Sequence, residues 1–231
     1  MSAEKFAAIL NRAATRKGGE QRLFGMVSAP LERDEILTIP DDRFLAEFTK
    51  KVFQSGFVWR VVEQKWPAFE TEFFQFDIEK ILLMPDEMFE KKATNPEIIR
   101  NLRKVMSIRD NAMMIKDASK QAGSFAEFVS GYLDGKVIEL WAYLKKHGTR
   151  LGGNTGPDAL RMLGIDTFLL SNDVESYFRQ HKLIEGAITS KRSLTTVNEQ
   201  FNQWHQESGL SLQSISQILA YSCGDNSRQV E

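Results

Sequence analysis

Cysteine is nearly absent: Cys223 is the only one in 231 residues. No disulfide can form within the chain, and a reducing, cytoplasmic setting is expected. Histidine is scarce too, and His147, His181 and His205 show no paired ligand spacing. A tetrahedral site of cysteines and histidines is therefore excluded, and neither a metal nor another cofactor is expected. Long hydrophobic runs are missing, which excludes a membrane-spanning helix. The first twenty residues, MSAEKFAAILNRAATRKGGE, lack the continuous apolar stretch of a signal peptide. An excess of one charge is missing as well: 30 Lys and Arg face 31 Asp and Glu. A uniformly basic nucleic-acid binder is excluded, but a local basic patch is not. Sustained alternation of apolar and polar residues, internal repeats and low-complexity tracts are also lacking.

What is present is helical periodicity, nearly everywhere. Phe6, Ile9, Leu10 and Ala13 fall at helical spacing before the stop signal Lys17-Gly18-Gly19. Residues 28–40 read as a connection with one short turn. Asp41 or Asp42 is expected to cap a helix burying Phe44, Leu45, Phe48, Val52 and Phe53, interrupted at Gly56. Helices are expected from Val58 to Lys65, and again from Pro67 with Phe69, Phe73 and Phe74 inward. Asp77 and Pro85-Asp86 are further start signals. Asn95-Pro96 opens the longest candidate, running to about Gln121. Later helices are expected at Val137–Lys146, from Gly156 to Leu163, after Ser171-Asn172-Asp173, and at about 194–207 and 212–221. The tail GDNSRQVE is expected to be disordered. The expectation is an all-α fold of many short helices, one unit of two lobes sharing a cleft over residues 1–224.

The charges are unevenly spread. Arg100 to Lys120 holds six basic residues against Asp110 and Asp117, and Lys145 to Arg161 holds four against Asp158. The second group surrounds the most specific stretch, Leu144 to Leu163. There a helix ends, a turn carries Gly152, Gly153 and Gly156, and Pro157 sits in the first turn of another helix. Free N–H groups at that helix start would bind an anion such as a phosphate. Asn154 and Thr155 would cap the helix or donate to the same phosphate, and Lys145, Lys146 and Arg150 would add positive charge. A glycine-rich turn between packed helices, or a protein-contact element, would look the same.

The stretch from Leu151 to Gly156 resembles the helix-hairpin-helix motif, with one residue more between its outer glycines. Over roughly Asp41 to Val174 the chain resembles helix-hairpin-helix DNA glycosylases of the Tag-type 3-methyladenine branch. Ile98-Ile99-Arg100 through Lys104-Val105 to Asn111-Ala112, Gln54-Ser-Gly-Phe-Val-Trp59 and Phe74-Gln-Phe-Asp77 carry the likeness. The resemblance implies a two-lobed helical fold and a flipped alkylated purine whose N-glycosidic bond is cut by water. It assigns Trp59 to stacking on the base and Gln54 to its edge, with core packing as the alternative for both. Phe57, beside them, is read as core, with a place at the pocket as the alternative.

The chain departs from that family in three places. Where the family has a glutamate reading the base, this chain has Lys51, a cation set against a cationic base. Lys51 then either points elsewhere or belongs to a site for another lesion. The zinc ligands of the family are missing, and the terminal helices are expected to fasten the lobe instead. The catalytic aspartate of other superfamily members is replaced by Ser171. Asp173, two residues on, either stabilises the developing sugar cation or caps a helix. No lysine follows the hairpin where lyase members place one. The resemblance implies a monofunctional alkylpurine glycosylase acting as a monomer on double-stranded DNA, with no membrane partner. The alternative is a weak or inactive relative that binds DNA lesions.

Overall fold

The computed structural model describes residues 4–223, and every regular element among them is helical. In chain order they are α1 (Phe6–Lys17), α2 (Glu20–Phe24), α3 (Arg33–Leu37), α4 (Asp41–Gln54), α5 (Trp59–Glu72), α6 (Ile78–Leu83) and α7 (Asp86–Ala93). There follow α8 (Leu102–Ala122), α9 (Phe125–Ser130), α10 (Val137–His147), α11 (Thr155–Met162), α12 (Asn172–Gln180), α13 (Lys191–Ser208) and α14 (Leu212–Ser222). A short 3₁₀ turn spans Phe74–Phe76. The chain divides into two compact units, one of residues 32–163 and one of residues 1–31 with 164–231. The expected disorder of GDNSRQVE concerns residues outside those described.

In the terminal unit α1 packs on α14, so the two ends of the chain share one core. Phe6, Ile9, Ile215 and Ile218 are buried there, and Trp204 is fully enclosed. Phe168 stacks on Phe201 with ring centroids 4.3 Å apart. Glu4 ties the cluster together: its carboxylate accepts from Arg12 and the Tyr177 hydroxyl, and its carbonyl accepts from Trp204 Nε1. Asp166 accepts the N–H groups of Leu212 and Gln213, two of the orphan donors at the start of α14.

The central unit is built around α4 and α8. The apolar face of α4 is buried as its spacing predicts, with Phe44, Leu45, Phe48, Val52 and Phe53 nearly inaccessible. Its start differs from expectation. Neither Asp41 nor Asp42 caps it; Pro40 precedes it with no side-chain bond. The Asp41 carboxylate instead accepts the N–H of Phe125, at the start of α9, and the Ser119 hydroxyl of α8. An acidic residue next to a helix start satisfies whichever orphan donor the packing brings to it, and here that donor belongs to another helix.

Two boundaries also move. α5 runs unbroken from Trp59 through Pro67 to Glu72. Interior proline forfeits one helical bond and costs about 3 kcal/mol. An aromatic column offsets this, with Trp66 stacked between Phe69 and Phe76 at 5.3 and 5.4 Å. Phe74, expected inward, is exposed, because residues 74–76 take left-handed backbone that turns it out. α8 begins only at Leu102, where Asn101 Oδ1 caps the Lys104 N–H. Ile98 and Ile99 are buried from a non-helical segment, in which Asn95 Oδ1 accepts the N–H of Glu97. Leu102 and Met113 on α8 are about half exposed.

Removing the Asp41 carboxylate leaves the Phe125 N–H and the Ser119 hydroxyl short of an acceptor. Asp41→Ala is expected to lose about 1–3 kcal/mol in urea unfolding. A change within error would show that the α4–α8–α9 junction does not need the carboxylate.

Candidate active site

Helical spacing puts Glu47, Lys51 and Gln54 on one face of α4, at i, i+4 and i+7. Across from them stand Trp59 and Glu63 on α5 and Asp158 in the first turn of α11. Lys51 is only 5% exposed. A buried ammonium needs an anion, and Lys51 Nζ lies 3.2 Å from Asp158 Oδ2. The same ammonium lies 4.6 Å from the centroid of the Trp59 ring. Lys51 therefore points into the site. Trp59 itself is 55% exposed, so it is not core. Phe57, beside it, is 44% exposed, which overturns its reading as core; it borders a groove with Val61, Pro96 and Ile99.

Gln54 is buried, and its Nε2 donates to Glu63 Oε1 at 3.0 Å. That bond orients the amide. It leaves Gln54 Oε1 buried without a hydrogen-bond donor. Glu63 also pairs with Lys50 at 2.8 Å. Two ion pairs, Lys51–Asp158 and Lys50–Glu63, thus flank Glu47. Burial pushes the Glu47 carboxyl up to about 7, against the pull of Lys51 and Lys50, with Asp158 and Glu63 adding to the rise. Sequence reasoning passed over Glu47; its position one helical turn before Lys51 was the available signal.

α8 braces the surroundings of this face. Lys104 Nζ donates to the carbonyls of Phe53 and Ser55, which lie at the end of α4. It supplies the acceptors left open there with a donor. Burial lowers the Lys104 pKa, and the charge of Arg150 adds to the effect. Asn111, fully buried, accepts the N–H of Thr149 and donates to the Thr149 carbonyl, pinning the turn after α10. Both residues lie in the long-helix stretch singled out by resemblance, but their roles there were not foreseen.

α10, a glycine-containing turn and α11 follow one another at the expected positions, with one correction. The first N–H groups of α11 are not free: Thr155 donates to Gly152 O, Gly156 to Leu151 O, and Pro157 has none. The N–H groups of Gly152 and Gly153 in the turn have no acceptor among the described residues. The donors available to an anion therefore lie on the turn. Gly153 has φ of +62° and open space where a Cβ would stand. Gly156 is a packing glycine: a Cβ would lie 2.6 Å from Leu151 O. Asn154 precedes α11 without a side-chain cap bond. Lys146 and Arg150 are exposed beside the turn, Arg150 with φ of +65°.

Asp173 lies in the terminal unit, in the first turn of α12. Ser171 Oγ is the cap there, accepting the N–H of Val174. The histidines serve separately: His147 stacks on Tyr143, His181 on Tyr177, and His205 Nδ1 meets Leu210 O. Among the described residues no cluster of His, Cys, Asp and Glu suits a metal ion, and no helix is long and apolar enough to cross a membrane.

The family model described as methyladenine glycosylase matches residues 38–150. That range holds the α4 face and α5 and stops just before the turn glycines. The structure is similar to that of a 3-methyladenine DNA glycosylase I, with 23% identity and a TM-score of 0.50, over 55% of this chain and 80% of the other. It is also similar to 3-methyladenine DNA glycosylase I from Staphylococcus aureus. There the identity is 20% and the TM-score 0.52, over 68% of this chain and 92% of the other. At these identities the likeness is one of all-helical fold.

The Glu47 carboxyl has a testable energetic consequence. Between its ordinary 4.5 and about 7 the unfolded chain is ionised while the folded chain keeps the proton. Folded stability therefore falls as pH rises through that window. Glu47→Gln is expected to remove the loss, making the variant about 1–3 kcal/mol more stable relative to the parent at pH 8 than at pH 4.5. Urea unfolding at the two pH values checks this; equal differences at both would show that Glu47 titrates normally.

Proposed function

We propose that this chain, whose residues 38–150 match the methyladenine glycosylase family model, hydrolyses the N-glycosidic bond of a damaged purine in double-stranded DNA. Alkylated bases such as 3-methyladenine are the class for which its relatives are named. The observation that carries the reading is the pairing of Trp59 with Gln54. An exposed flat ring stands at the start of α5, and a buried amide oxygen without a donor lies on the adjoining face of α4. A base turned out of the duplex needs both: a surface to stack on and a polar group to read its edge.

The hairpin supports a DNA-facing role. Unbonded turn N–H groups, open space over Gly153, and exposed Lys146 and Arg150 suit a backbone phosphate. Asp158 and Arg161 occupy the region where a Schiff-base lysine would be needed, which supports a monofunctional enzyme. Lys51 inside the site favours a second reading, a lesion-binding relative that does not excise.

Duplex DNA carrying a panel of modified purines, followed by alkaline cleavage of abasic sites, separates the two. Trp59→Ala is expected to slow base release by about 10- to 100-fold, the worth of one stacked base, with non-specific DNA affinity nearly intact. Retained tight binding without strand breaks by the parent chain would establish the second reading instead. Arg150→Glu is expected to weaken binding on all sequences alike and to lower the salt slope by about 1. Unchanged affinity would remove the hairpin from the DNA interface.

A further inference from the structure

The site holds its own cation. Lys51 Nζ sits over the Trp59 ring at 4.6 Å and is paired with Asp158 at 3.2 Å. The face of an indole ring carries negative potential, and a cation on it uses that potential. A positively charged base arriving at Trp59 would meet a ring already engaged by an ammonium, and would meet the ammonium itself. An uncharged purine carries no charge for that ammonium to repel, and its ring nitrogens and carbonyl oxygens are acceptors for an N–H donor.

The remaining charges offer a cationic base no compensation. Asp158 is taken by Lys51 and Glu63 by Lys50. Glu47 is the third carboxyl facing the cluster, and burial pushes it up to about 7, opposing its ionisation. Among the described residues, the two carboxylates nearest Lys51 and Gln54, Asp158 and Glu63, are thus both already engaged by lysines. Gln54 Oε1, buried and without a donor, is a neutral acceptor matched to an exocyclic or ring N–H.

We infer that the site at Trp59 selects a purine lesion that is uncharged at neutral pH, with an acceptor turned to the Lys51 ammonium, over N-alkylated purines that carry a positive charge. This rests on the glycosylase reading above. It narrows the substrate class within that reading and makes Lys51 the residue that sets the charge preference.

The test uses the full chain in single-turnover release from three substrates. Two are duplexes carrying one 1,N6-ethenoadenine or one hypoxanthine, both neutral. The third carries one 7-methylguanine, which is cationic. Rates are divided by the spontaneous rate for each lesion, and bases are identified by mass spectrometry. The parent chain is expected to favour at least one neutral base over the cationic one by about tenfold or more. Lys51→Gln is expected to shrink that ratio by about tenfold. Asp158→Asn, which leaves the ammonium without its anion, is expected to enlarge it. Both variants break the same ion pair, so general loss of folding cannot move the ratio in opposite directions; thermal melts give the folded fraction. Equal or faster release of the cationic base by the parent chain overturns the inference and leaves the glycosylase reading standing. A ratio that both variants leave unchanged overturns it too. No release from any of the three, with dimethyl sulfate-treated DNA also untouched, overturns both.

Discussion

A buried ammonium has to be paired, and in this protein that requirement joins three helices. Lys51 leaves α4 into a region where only 5% of it reaches solvent. Its anion, Asp158, comes from the first turn of α11, where a negative charge also suits the helix dipole. Its other neighbour is the ring of Trp59, at the start of α5. Breaking a buried pair from one side costs about 3–5 kcal/mol, since the remaining charge cannot leave. The α4 face and α11, which pack on each other, are thus also joined by an ion pair, and its ammonium stands at the ring of Trp59.

The same logic runs along α8. Its inward polar residues, Lys104 and Asn111, are spent on backbone groups that would otherwise be buried without partners. Lys104 holds the segment that delivers Phe57 and Trp59; Asn111 holds Thr149, at the base of the hairpin. The two lie seven residues apart, two helical turns, so one helix face serves both. Parts of the candidate site are therefore fastened to one helix, α8, through backbone carbonyls and the turn at Thr149.

Much of this architecture is readable from spacing. Phe44, Leu45, Phe48, Val52 and Phe53 are buried as their periodicity requires, and the hairpin lies where its glycines place it. The errors fall where a local signal has two uses. Asn95-Pro96 is a sound helix start by local chemistry, yet Asn101 takes the role because Ile98 and Ile99 bury their side chains from a turn. Pro67 reads as a helix opener, yet stacking of Trp66, Phe69 and Phe76 carries α5 through it. The donors of the hairpin moved from the helix start to the turn for a similar reason. The carbonyl of Leu151 folds back onto the Gly156 N–H, a bond no spacing rule anticipates.

By itself, the sequence determined the helical class, the buried face of α4 and the glycine-rich turn between α10 and α11, and its one cysteine rules out a disulfide among these residues. These follow from period, turn chemistry and composition, which are local properties. Only the tertiary structure decided the direction of Lys51, the partnering of Asp41 with α9, and the gathering of Glu47, Gln54, Glu63 and Asp158 about Trp59. Each of these depends on which buried charge or orphaned backbone group finds a partner from a distant part of the chain. Sequence spacing sets the face from which a side chain leaves; desolvation and the packing of other helices set what it meets.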